Sequence, residues 1–67
     1  MSARYAFSMA TKYVNDYEAG LETLETLQAH AQEACMLLDL AVQGPSGKWY
    51  HFANGLLTLS DTNPQLQ

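Results

Sequence analysis

The side chains best equipped for chemistry in this sequence are His30, Glu33, Cys35 and His51, the run Gly44-Pro45-Ser46-Gly47-Lys48, and a long series of carboxylates. His30 and Glu33 stand one helical turn apart, so with His51 from a later segment they could share a metal ion. Neither Cys-x-x-Cys nor His-x-x-x-His occurs, however, and no metal or cofactor is expected. The glycines and lysine of Gly44 to Lys48 match the end of a phosphate-binding loop, whose backbone N–H groups cradle phosphate. The first glycine of that motif would have to fall at Val42, and Trp49 stands where Ser or Thr is required. A turn is the expected role. Cys35 is the single cysteine, which excludes an internal disulfide and fits a reducing compartment. Its apolar and acidic neighbours disfavour a thiolate, so it reads as a small hydrophobe of the core. With no nucleophile elbow and no carboxylate pair placed in a cleft, no catalytic residue is assigned and no enzyme is expected.

The carboxylates point elsewhere. Between Lys12 and Lys48 there is no Lys or Arg, yet the stretch carries Asp16, Glu18, Glu22, Glu25, Glu33 and Asp39. Glu18, Glu22 and Glu25 recur at helical spacing and, with Asp16, would form an acidic ridge able to dock on a basic protein surface. Seven acidic residues against three basic ones give a net charge of −4, so phosphate neutralisation has little to draw on and direct nucleic-acid binding is not expected. A second candidate surface is aromatic, with Trp49 the expected buried anchor and Tyr50 the expected exposed ring.

These residues need elements to position them. Asn15 can cap a helix with Glu18 three residues on, apolar or small residues follow at Gly20, Leu24, Leu27, Ala31, Ala34, Leu38 and Ala41, and Gly44-Pro45 supplies a stop. The pattern predicts one long amphipathic helix over about 16–43. Residues 48–60 read as two strands joined by Asn54-Gly55, a strong hairpin signal, with a helix as the alternative reading of the same stretch. Residues 3–14 alternate as a strand through Tyr5, Phe7, Met9, Thr11 and Tyr13, while Ala6 and Ala10 suit a helix. The expected fold is therefore α+β: a single domain over 1–67 of β-α-β-β order with one long central helix and a C-terminal hairpin. An all-α helical hairpin or three-helix arrangement is the alternative.

At 1.5 Å per residue the central helix would be about 42 Å long, against a diameter of about 28 Å for a compact chain of this size. Its second half is apolar all round, and such a helix is normally covered on all sides. Both features predict a homodimer through Ala34, Met36, Leu37, Leu40 and Ala41. No apolar run reaches the length of a membrane span, and the opening residues do not resemble a secretory signal, so a cytoplasmic protein is expected.

The functional expectation is a small acidic protein-binding module, a dimeric inhibitor or regulator of a larger protein. In composition the chain resembles phage-encoded inhibitors such as anti-CRISPR and other host-takeover proteins, and that resemblance implies an anti-host or anti-defence role. The alternative is a structural subunit whose role is helix-mediated assembly.

Overall fold

The computed structural model describes residues 2–33 and 36–66; Ala34 and Cys35, assigned above to the dimer face and the core, lie outside them. Two helices, α1 (Ala3–Glu18) and α2 (Leu24–His30), are followed by strands β1 (Leu40–Gln43), β2 (Trp49–Ala53) and β3 (Leu56–Ser60) and a short 3-10 turn at Pro64–Leu66. The class is α+β, as expected, and the hairpin at Asn54-Gly55 is present.

The placement of the helices corrects the sequence reading. Residues 3–14 are helix, not strand: Ser2 caps α1 by accepting from the Tyr5 N–H at 3.1 Å, and Ala6, Ala10 and Val14, each four apart, form its buried stripe. The alternation of Tyr5 and Phe7 was misleading, since both rings are exposed. The long helix over 16–43 does not form. Gly20, counted as a small residue on its face, adopts φ +82 and ends α1 instead. Leu21 N–H reaches Asp16 C=O at 2.8 Å and Gly20 N–H reaches Tyr17 C=O at 3.0 Å, the paired bonds of a left-handed helix stop. A second helix then starts at Thr23, whose side chain and that of Thr26 cap each other's backbone.

The all-round apolarity of Leu40-Ala41-Val42 has a different cause as well. It belongs to a strand buried on both faces, which a short apolar run cannot distinguish from a buried helix. Gly44-Pro45 serves the β1–β2 turn. The molecule measures 28 × 27 × 18 Å, so α1, about 24 Å long at 1.5 Å per residue, does not overhang it. The overhang that predicted a dimer disappears with the long helix.

The sheet is antiparallel in the order β1-β2-β3. Leu40 faces Phe52 and Val42 faces Tyr50, and across the hairpin Phe52 faces Leu57 and Tyr50 faces Leu59. These side chains point to one face of the sheet, where α1 lies against β1 and α2 against β3. Leu27, Met36, Val14 and Phe52 are the largest fully buried side chains between the layers. Trp49, His51 and Ala53 alternate onto the opposite face and are half-buried. Among the described residues no helix is long and apolar enough to cross a membrane.

Candidate functional site

β3 ends the sheet on one side, and its free edge is built by the hairpin. In a two-residue turn the flanking pair, Ala53 and Leu56, exchanges both backbone hydrogen bonds, and bonded and non-bonded pairs then alternate. Leu56, Thr58 and Ser60 therefore bond β2, whereas the peptide groups of Leu57 and Leu59 point outward. No residue of Leu56-Leu57-Thr58-Leu59-Ser60 is charged. Leu56 is 62% exposed and Leu59 40%. The other outer strand, β1, has α1 and the 3-10 turn against it, as β3 has α2.

One side chain covers part of the β3 edge. Gln28 of α2 accepts from the Leu57 N–H at 3.0 Å and donates to the Gly55 C=O at 3.1 Å. Its carboxamide bonds the strand as a peptide group of a neighbouring strand would. The peptide groups of Leu59 meet no such cover among the described residues.

Beside Leu59 lies an open hollow of about 490 Å³, lined also by Tyr17, Glu18, Ser46, Lys48 and Tyr50. Three of these side chains are joined to one another. Glu18 accepts from Ser46 N–H at 2.8 Å, Ser46 Oγ at 2.7 Å and Tyr50 OH at 2.6 Å. Burial works against ionisation of Glu18, but the bonds from Tyr50 and Ser46 outweigh it and hold its carboxyl below the ordinary 4.5. Burial first, and then the hydrogen bond to Glu18 and the charge of that carboxylate, push the Tyr50 phenol far up. A carboxylate so stabilised is a weak base, and it occupies the Ser46 N–H and O–H together. The cluster therefore fastens the β1–β2 turn to the end of α1 and leaves Ser46 without an activating partner. Gly44 makes room for it, since a Cβ there would lie 2.7 Å from Glu18 Cδ and 3.0 Å from the Tyr50 ring.

A second cluster surrounds His30. Its Nε2 meets Glu22 Oε1 at 2.7 Å, its Nδ1 meets Glu33 Oε2 at 2.6 Å, and its ring stacks on Tyr13 at 3.7 Å and 3°. Tyr13 OH also donates to Glu33 at 2.9 Å. Desolvation alone would lower the His30 pKa, but the two carboxylates raise it above 6.5 and favour an imidazolium that donates to both. The bond from His30, aided by Tyr13, likewise lowers the Glu33 carboxyl. His51 lies apart on the other face of the sheet, with Nε2 at 2.6 Å from Asp39. His30 and His51 thus serve separate clusters, and among the described residues no group of three or more His, Cys, Asp or Glu is arranged to hold a metal ion.

The acidic ridge is divided. Asp16 pairs with Lys12 at 3.0 Å, Glu18 holds the turn, Glu22 lies in the loop before α2 and holds His30, and Glu25 is exposed in the first turn of α2. Of the residues assigned to a dimer face, Met36, Leu40 and Ala41 are buried within the chain itself, and Leu37 is exposed. Tyr50, expected to be the exposed ring, is 2% exposed because strand alternation turns it and Phe52 inward, leaving Trp49 half-buried on the other face. Sequence reasoning passed over Leu57, Leu59 and Gln28. The absence of charge from 56–60 was a usable signal for the strand, whereas nothing local marks Gln28, whose partners lie 27 and 29 residues away.

Comparison with protein-family models, with curated proteins and with solved structures returns no match.

Proposed function

We propose that this chain is a non-enzymatic protein-binding module, a cytoplasmic regulator or inhibitor, that takes its partner by strand addition to β3. The observation that carries the reading is the edge itself: uncharged, free of proline, with exposed leucines and outward peptide groups at Leu59. Natural sheets ordinarily blunt such edges with lysine, proline or a bulge, because a bare edge templates pairing with another chain. Strand addition supplies affinity through main-chain hydrogen bonds and specificity through alternate side chains. For a partner other than a further copy of the chain, the net charge of −4 favours one that brings positive charge beside the strand.

Leu59→Pro tests this reading. It removes an outward N–H that does not bond β2, so the hairpin keeps its ladder while the edge loses a donor. Proteins captured from the native cell extract by the wild-type chain should be lost with Leu59→Pro at unchanged far-ultraviolet circular dichroism. Equal capture by both chains would overturn the proposal. A second reading, a subunit whose role is assembly itself, is favoured by the symmetry of Leu57-Thr58-Leu59; it predicts that only further copies of the chain are retained.

A further inference from the structure

We infer that the strand taken up at β3 is β3 of a second copy, antiparallel and centred on Thr58. The inference rests on the reading of β3 as a docking edge and names its occupant.

The register follows from the hairpin. Antiparallel partners must both present outward peptide groups at a bonded pair, and in β3 these belong to Leu57 and Leu59. A two-fold axis at Thr58 sets Leu57 against Leu59 of the second copy, and Leu59 against its Leu57. Both pairs satisfy the requirement, so every outward N–H and C=O of the two residues is used. The side chains agree with the backbone. On the helix side leucine meets leucine, on the other face Thr58 meets its own equivalent, and Leu56 meets Ser60. Apolar and Thr–Thr cross-strand pairs are favourable, and like charges directly opposite are not. Each copy carries −4, but none of that charge lies on the strand. The carboxylate that follows the strand in sequence, Asp61, is held by Lys48 of its own chain at 3.3 Å and falls opposite Gly55.

Gln28 shows what chemistry this edge accepts, because an amide already sits on it with the carbonyl toward Leu57 N–H and the NH₂ toward Gly55 C=O. It also restricts entry. While Gln28 holds Leu57 N–H in both copies, the pair retains only the bonds donated by Leu59. Full pairing requires each Gln28 to swing aside, so Gln28 acts as a releasable guard.

Three measurements on the full chain decide the matter. Sedimentation equilibrium should give a concentration-dependent mass approaching twice 7.4 kDa, and Gln28→Ala should tighten association by about tenfold through the hydrogen bonds it frees. Thr58 is exposed on the outer face, so charges there leave the core untouched. Thr58→Lys and Thr58→Glu should each be monomeric, and mixing them should restore a dimer. In a Cys35→Ser background, Thr58→Cys should oxidise to a covalent dimer, because the axial non-bonded pair brings the two Cα atoms to about 4.5 Å, within disulfide range. Ser60→Cys should not, since its two copies would lie about 14 Å apart along the strands at 3.4 Å per residue.

A monomer at the highest attainable concentration, a charge pair that does not rescue, or cross-linking at position 60 instead of 58 would overturn the inference. If the chain is monomeric and Leu59→Pro still abolishes partner capture, the docking edge stands and its occupant is a different protein. If Leu59→Pro changes neither mass nor capture, both readings fall.

Discussion

Replacing Glu18 by alanine should remove about 1–4 kcal/mol of folding stability, most of it through a residue 32 positions away. Three donors lose their acceptor. Ser46 is exposed, so water replaces the carboxylate at its N–H and O–H, and those two bonds contribute less than about 1 kcal/mol together. Tyr50 is 2% exposed. Its hydroxyl stays behind without the charged acceptor at 2.6 Å, and stranding a buried donor costs roughly 1–3 kcal/mol. A core of this size supplies roughly 3–5 kcal/mol in all, so the variant would sit close to its folding midpoint in water. The assay is urea denaturation followed by Trp49 fluorescence at neutral pH, for Glu18→Ala, Tyr50→Phe and the double variant. Removing the hydroxyl along with the carboxylate should recover much of the loss, with a coupling energy of about 1–3 kcal/mol. A Glu18→Ala cost within about 0.5 kcal/mol of zero, the range of an ordinary surface substitution, would refute the reasoning, as would strict additivity. The same carboxylate sets an acid dependence. Its folded pKa is depressed below 4.5, so its contribution is present above that value and is lost as pH falls through the folded pKa. Glu18→Ala should flatten that part of the profile.

Gly44→Ala should cost about 1–3 kcal/mol, because its Cβ would press on the Glu18 carboxylate and the Tyr50 ring, and most of that cost should vanish in a Glu18→Ala background. Gly20→Ala meets nothing within 4 Å, so its expected loss of about 1–2 kcal/mol comes only from holding φ at +82, and Gly20→Asn should lose less. His30 should titrate above 6.5 by nuclear magnetic resonance. Its folded pKa is raised, so its stabilisation is complete below 6.5 and fades as pH rises through the folded value; His30→Gln should abolish that alkaline loss. A His30 titration at or below 6.5 would contradict the two-carboxylate geometry.

The parts of this fold legible in the sequence are those set by local chemistry. Asn54-Gly55 specifies its turn within two residues: Asn54 at φ 55 and Gly55 at φ 76 adopt the positive angles that such a hairpin demands. The α+β class followed from that hairpin together with a helical period. The helix boundaries were lost where one signal had two meanings. Gly20 fits a small-residue stripe and a left-handed stop equally well on spacing, and only the capping threonines just after it favour the stop. Residues 40–42 are apolar in a way that suits a helix covered all round or a strand covered on both faces, and tertiary packing chose the strand. The acidic ridge failed for a related reason. Carboxylates at helical spacing look alike in sequence, but Glu18 and Glu22 acquire partners, Ser46 and Tyr50 for one and His30 for the other, that no local pattern reveals.

Two long-range amide and carboxylate contacts tie the helices to the hairpin half of the chain, and they differ in what their loss would leave behind. Glu18 is the acceptor for the hydroxyl of a tyrosine that is 2% exposed, so removing it takes a charged partner from a largely buried donor. Gln28 bonds peptide groups at the rim of the sheet, where water or another strand can take its place. The net worth of such an exchangeable bond is about 0.5–1.5 kcal/mol, small enough for an incoming strand to displace it by offering the same bonds. A lysine or proline in β3 would block the edge permanently, whereas a glutamine on a neighbouring helix covers it and can leave. The two residues should therefore separate experimentally: Glu18 governs whether the chain folds, and Gln28 governs what the folded chain admits to its edge.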